Sequence, residues 1–82
     1  LPISMPTILR IGRYRVYFYS YEPNAPPHMH GYRDGASCKI WLKPMVALAS
    51  GVGFNARELR EIEWLINSNS STLLSAWADF HG

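Results

Sequence analysis

Thiols are almost missing from this chain: Cys38 is its one cysteine, so no disulfide can close within it, and nothing points to an oxidising compartment. Charge is scarce as well, at 17% of residues, which is low for a globular protein. No apolar run approaches the ~20 residues that span a bilayer, so no membrane span is expected. Leu1-Pro2-Ile3-Ser4 lacks the charged start and long apolar stretch of a signal peptide. Met5-Pro6-Thr7 reads as a natural start, so residues 1–4 are expected to be an upstream or added extension, and the cytoplasm is the expected location. Length is limited too: 82 residues provide for one domain, placed at 5–82, and no second. A domain of this size buries only roughly 60–65% of the surface its unfolded chain exposes. A small protein partner or a homo-oligomer would add stability.

Aromatic residues are plentiful, at 13%, with three Trp, five Tyr and three Phe. The net charge of +2 hides an asymmetry. Up to Lys43, six cations (Arg10, Arg13, Arg15, Arg33, Lys39, Lys43) face Glu22 and Asp34, a net of +4. Beyond it, Arg57 and Arg60 face Glu58, Glu61, Glu63 and Asp79, a net of −2. A basic first half suits an anionic partner, although simple solvation is the commoner reason for such a split.

The first half carries strand signals. Ile8 to Ile11 and Tyr14 to Tyr21 are β-prone runs separated by Gly12-Arg13, which predicts a hairpin. Glu22 to Pro27 holds three prolines and is expected to be a loop. His28 to Arg33, the turn pair Asp34-Gly35 and Ala36 to Leu42 predict a second hairpin. Met45 to Ala49 is a candidate short edge strand or a turn of irregular chain, and Ser50 to Phe54 a connector. Asn55 with Glu58 three residues on has the form of a capping box. Leu59, Ile62, Leu65 and Ile66, then Leu73, Ala76, Trp77 and Phe80, form helical stripes. The polar run Asn67 to Ser71 favours a break between them. The expected fold is α+β: an antiparallel sheet of about four strands within 7–49, with one kinked or two helices within 55–81 covering one face.

Alternate side chains of a strand face opposite ways. Tyr14, Val16 and Phe18 share one face, as do Ala36, Cys38, Ile40 and Leu42; of these Val16, Phe18, Cys38, Ile40 and Leu42, with Met29, are the expected core. The opposite sets are Arg13, Arg15, Tyr17, Tyr19 and Tyr21 on one strand and Ser37, Lys39, Trp41 and Lys43 on the other, a basic and aromatic composition joined by His28, His30 and Tyr32. Arg15, Tyr17, Tyr19, Lys39 and Trp41 are the candidate binding residues. Such a surface can dock a protein, since Tyr, Trp and Arg dominate hot spots. It can also stack RNA bases and neutralise phosphates. The plainer reading is cross-strand pairing alone.

Pro26-Pro27-His28-Met29-His30 is the most distinctive local feature. Histidines at i and i+2 of a strand project together, so His28 and His30 form a weak candidate metal pair, with Glu22 or Asp34 as third ligand. The favoured reading is structural: the two rings bond loop backbone and hold the proline turn. No metal and no cofactor are expected. His28 and His30 are also the candidate acid and base of a metal-independent ribonuclease, with Lys39 or Arg15 as the cation. Cys38 is expected to be buried and inert. His81 and the segment Arg57 to Glu61 are expected to be solvated.

Several blocks resemble one family. They are Met5-Pro6-Thr7-Ile8-Leu9-Arg10-Ile11-Gly12, Tyr17-Phe18-Tyr19-Ser20, Pro26-Pro27-His28-Met29-His30, Lys39-Ile40-Trp41-Leu42-Lys43-Pro44, Glu58-Leu59-Arg60-Glu61-Ile62-Glu63 and Leu74-Ser75-Ala76-Trp77. In this order they are similar to the small prokaryotic family catalogued as domain of unknown function 4160. The resemblance implies no established activity. It implies a setting beside another small protein, an arrangement similar to a toxin–antitoxin pair. The expectation is therefore a partner-binding half of a two-protein module, with an RNA-binding protein or ribonuclease toxin as the alternative.

Overall fold

The computed structural model describes residues 7–19 and 25–81. The readings placed on residues 1–6, on Tyr21 and on Glu22 lie outside the described residues. Five strands form one antiparallel meander in chain order: β1 (Thr7–Ile11), β2 (Tyr14–Tyr17), β3 (His28–Arg33), β4 (Ala36–Trp41) and β5 (Ala47–Val52). Helices α1 (Ala56–Ser68) and α2 (Ser70–His81) follow. No helix among the described residues is long and apolar enough to cross a membrane.

The tight turns set the register. Gly12 (φ 57°) with Arg13 closes β1 on β2, so that Ile11 pairs with Tyr14 and Arg10 with Arg15. Asp34 (φ 43°) and Gly35 (φ 84°) both take positive φ, as a type I′ turn demands, and Arg33 then pairs with Ala36. The β2 ladder stops at Tyr17, short of the expected end. β5 runs on to Val52, through residues expected to be a connector, with a bulge where Lys39/Ile40 meet Ser50/Leu48.

Burial in β4 alternates: Ala36, Cys38 and Ile40 are buried while Ser37 is exposed and Lys39 and Trp41 are half-buried. Cys38 and Ile40, with Tyr14, Val16, Phe18, Met29 and Leu42, pack against Ile62 and Ile66 of α1 and Leu73 and Trp77 of α2. Both helices thus cover one face of the sheet. Close approach depends on small residues beneath α1. A Cβ on Gly31 would lie 2.9 Å from Cys38 Sγ and 3.5 Å from Ile62 Cγ2, and one on Gly51 3.1 Å from Leu59 Cδ2.

The helices divide where the polar run falls. Asn69 caps α1, its side-chain amide donates to the Leu65 carbonyl at 2.7 Å, and its own carbonyl accepts from Leu73 N–H. At the other end of α1 the capping box is complete. Asn55 Oδ1 accepts from Glu58 N–H at 2.8 Å, and Glu58 Oε1 accepts from Asn55 N–H at 3.1 Å.

Glu58 is not solvated, however. It is 6% exposed and holds both hairpin turns to the helix. Arg33 donates to both its oxygens at 2.6 and 2.7 Å, and Arg13 donates to Oε2 at 2.9 Å. The Arg33 bonds, then the Asn55 amide, hold its carboxyl down at about 2 against an ordinary 4.5. A depressed folded-state value means that Glu58 adds stability above the unfolded value and loses it as pH falls toward 2. Glu58→Gln should therefore lower the urea midpoint near pH 7. The gap to wild type should narrow steadily below about pH 4.5 and nearly close by about pH 2. Parallel denaturation curves across that range check the sign.

Candidate interaction face

Directly opposed residues of an antiparallel ladder share a face, so the register fixes the composition of the face opposite the main core, whose end at His28 and Tyr19 meets Trp77 and His81 of α2. Arg10, Arg15, Tyr32, Ser37 and Val52 form one row. Tyr17, His30, Lys39 and Ser50 form the next, and His28, Trp41 and Ala47 a third. Tyr19 lies beyond the ladder, but its ring meets those of Tyr17 and His30, which puts it with the second row.

These side chains form a connected cluster. Tyr17 stacks on His30 at 5.3 Å with planes 22° apart, and Tyr19 meets His30 edge-on at 4.8 Å. His30 meets His28 at 5.1 Å, and His28 meets Trp41 at 5.7 Å. Cations cover the larger rings: Arg15 Cζ lies 4.8 Å from the Tyr17 centroid and Lys39 Nζ 4.4 Å from that of Trp41. Each such contact contributes about 0.5–1 kcal/mol at a partly exposed site. Burial, then a hydrogen bond to Tyr19, pushes the Tyr17 phenol up to about 12, so it is a neutral phenol at physiological pH.

The histidines differ. His28 is fully buried, and its Nδ1 lies 2.9 Å from the Pro26 carbonyl oxygen. A carbonyl only accepts, so Nδ1–H is the donor. This bond ties the ring to the proline turn, and Trp77 of α2 meets it at 4.9 Å. His30 is half-buried between the two tyrosines. Among the described residues no group of three His, Cys, Asp or Glu could hold a metal ion. Cys38 is buried on the core side, and burial pushes its thiol up.

His81 departs from the solvated reading. It stacks on Trp77 at 3.9 Å, and its two ring nitrogens face carbonyl oxygens, Nδ1 that of Trp77 at 3.1 Å and Nε2 that of Tyr19 at 3.2 Å. The end of α2 is thereby fastened beside Tyr19. A second departure is Arg10, which belongs to the basic face by its pairing with Arg15. The two-residue Gly12-Arg13 turn carries that signal, since it alone sets the pairing. Like charges directly opposed cost stability, and Arg15 offsets part of that cost by lying over the Tyr17 ring.

An open cleft of about 370 Å³ lies elsewhere, lined by Val46 and by Arg60, Glu63, Trp64 and Asn67 of α1. Its lining sets the cation of Arg60 and the carboxylate of Glu63 beside the exposed Trp64 ring.

The fold and this face define an α+β protein: an all-antiparallel meander with helices on one side and a cationic, ring-rich surface on the other. Residues 14–78 match the family described as Domain of unknown function (DUF4160), and the chain belongs to that family. No curated protein matches it, and no solved structure does.

Proposed function

We propose that this protein is the partner-binding component of a two-protein, toxin–antitoxin-like module, docking an acidic protein through the face of Arg10, Arg15, Tyr19, Lys39 and Trp41, with the buried Tyr17 ring supporting Arg15 from beneath. One observation carries the reading: Arg15 and Lys39 already cover the rings of Tyr17 and Trp41. A base-stacking platform needs open ring faces. Here the surface offers cations above and ring edges beside them, which suits carboxylates and apolar side chains of a protein. The same geometry weakens the ribonuclease reading. His28 has no exposed surface through which a phosphate could reach it, and Tyr17 is 8% exposed.

Co-expression with the small protein encoded beside this one, followed by size-exclusion chromatography, tests the proposal. The two should co-elute, and Trp41→Ala or Lys39→Glu should weaken the complex by roughly 30-fold, the effect of a hot-spot residue. Separate elution, or a complex indifferent to both changes, rejects it. The RNA alternative makes the opposite prediction: salt-sensitive RNA binding and growth arrest on expression that His28→Ala relieves.

A further inference from the structure

The interaction face ends at β5, and β5 is built unlike a guarded edge. Natural edge strands are protected by charge, proline or cover. The other edge strand, β1, carries Arg10. β5, Ala47-Leu48-Ala49-Ser50-Gly51-Val52, has neither charge nor proline, and its last five residues are exposed. Among the described residues its protection is a bulge opposite Lys39/Ile40 and the packing of Leu59 of α1 against Gly51 on the core side.

Beside Lys39 and Trp41 the side chains that β5 contributes to the face are small, whereas Val52 stands at the far end beside Ser37. Ser50 stands beside Lys39 and Ala47 beside Trp41. Strands lie roughly 4.7–4.9 Å apart. A residue added opposite Ser50 would thus sit roughly 10 Å from the Lys39 backbone. A glutamate there and the lysine can bridge that gap above the short serine. Opposite Ala47, only a methyl group stands between an added side chain and the Trp41 position.

We propose that β5 takes an extended acidic segment of the partner as a sixth strand, the backbone pairing along the edge and the carboxylates reaching Lys39. This rests on the acidic-partner reading above and adds how that partner attaches. Charge selects the occupant. A second copy pairing β5 to β5 would extend the sheet with the same cations and bring two bulges together at the joint. An acidic strand neutralises the face instead.

The test uses the full chain and two decapeptides, one alternating Glu with Thr and one alternating Lys with Thr. Binding is followed by titration, and hydrogen exchange is measured at the amides of residues 47–52. The Glu peptide should bind more tightly than the Lys peptide by on the order of tenfold. It should slow exchange at those amides, and Lys39→Glu should abolish both effects. Binding of the Glu peptide with unchanged exchange at 47–52 overturns strand addition while leaving side-chain docking on the face intact. Binding of neither peptide, with the neighbouring protein still co-eluting, overturns strand addition alone; loss of the co-elution removes the parent reading with it. Slow exchange at 47–52 that grows with protein concentration in the absence of peptide overturns the proposal in favour of a second copy.

Discussion

Replacing Phe18 with alanine is expected to remove about 3–5 kcal/mol of stability. The ring has no exposed surface and is met edge-on by Trp77 at 5.6 Å and Phe80 at 5.2 Å, with His81 tilted at 5.2 Å. It joins the sheet to the last turns of α2. A domain of this length has roughly 4–12 kcal/mol in all, so the variant should be near its unfolding threshold at room temperature. Its melting temperature should fall by on the order of 20 °C. Phe80 is the control. It touches the same ring but is 53% exposed, and Phe80→Ala should cost only about 1 kcal/mol, the scale of one aromatic pair. Equal losses in the two variants would mean that Phe18 is not the core residue it is taken for. Thermal denaturation of both checks the contrast.

Phe18 also shows how far period-2 reasoning reaches. The β2 ladder ends at Tyr17, yet the side-chain alternation continues for two residues beyond it, because the chain stays extended. The core on β2, β3 and β4 was legible for that reason, as was the capping box, which is a local pattern. The helix break at Asn69 followed from polar residues whose side chains bond nearby backbone. Less was legible in β5. Alanine, serine and glycine carry little strand propensity, so Ser50 to Val52 looked like a connector until β4 paired with them.

Long-range contacts account for the other differences. Glu58 has the local signature of a cap and of a solvated helix face, and the signature says nothing of Arg33 and Arg13, which lie 25 and 45 residues away. Each arginine stands in or beside a tight turn, and the helix start between them gathers both. His81 has the same character: its ring reaches the Tyr19 carbonyl, 62 residues away. Arg10 was within reach of sequence reasoning, because a two-residue hairpin turn fixes the pairings next to it, up to the irregularity between Thr7 and Leu9. For the histidine pair, the proline carbonyl that engages His28 lies two residues away, which favours the proline-turn reading for that ring. Such a contact gives no hint that Trp77 would bury it.

Space, rather than backbone conformation, demands glycine at position 31, and this gives a sharp test of the sheet–helix contact. Gly31 lies in β3 between Val16 and Cys38, under Ile62. An alanine methyl would stand 2.9 Å from Cys38 Sγ, closer than side-chain carbons come to any heavy atom. The sulfur or the helix must yield, and overpacking of this kind costs about 1–3 kcal/mol. Cys38→Ala alone leaves a small void, a loss of about 1 kcal/mol. In the double variant the new methyl occupies the volume the sulfur vacated. The double variant should therefore be more stable than the sum of the two single losses requires, with a coupling of about 1 kcal/mol or more. Urea denaturation of the three variants measures that coupling. Simple additivity would place the strain of Gly31→Ala on Ile62 and α1 instead of on the sulfur, and Ile62→Val would then be the change that relieves it.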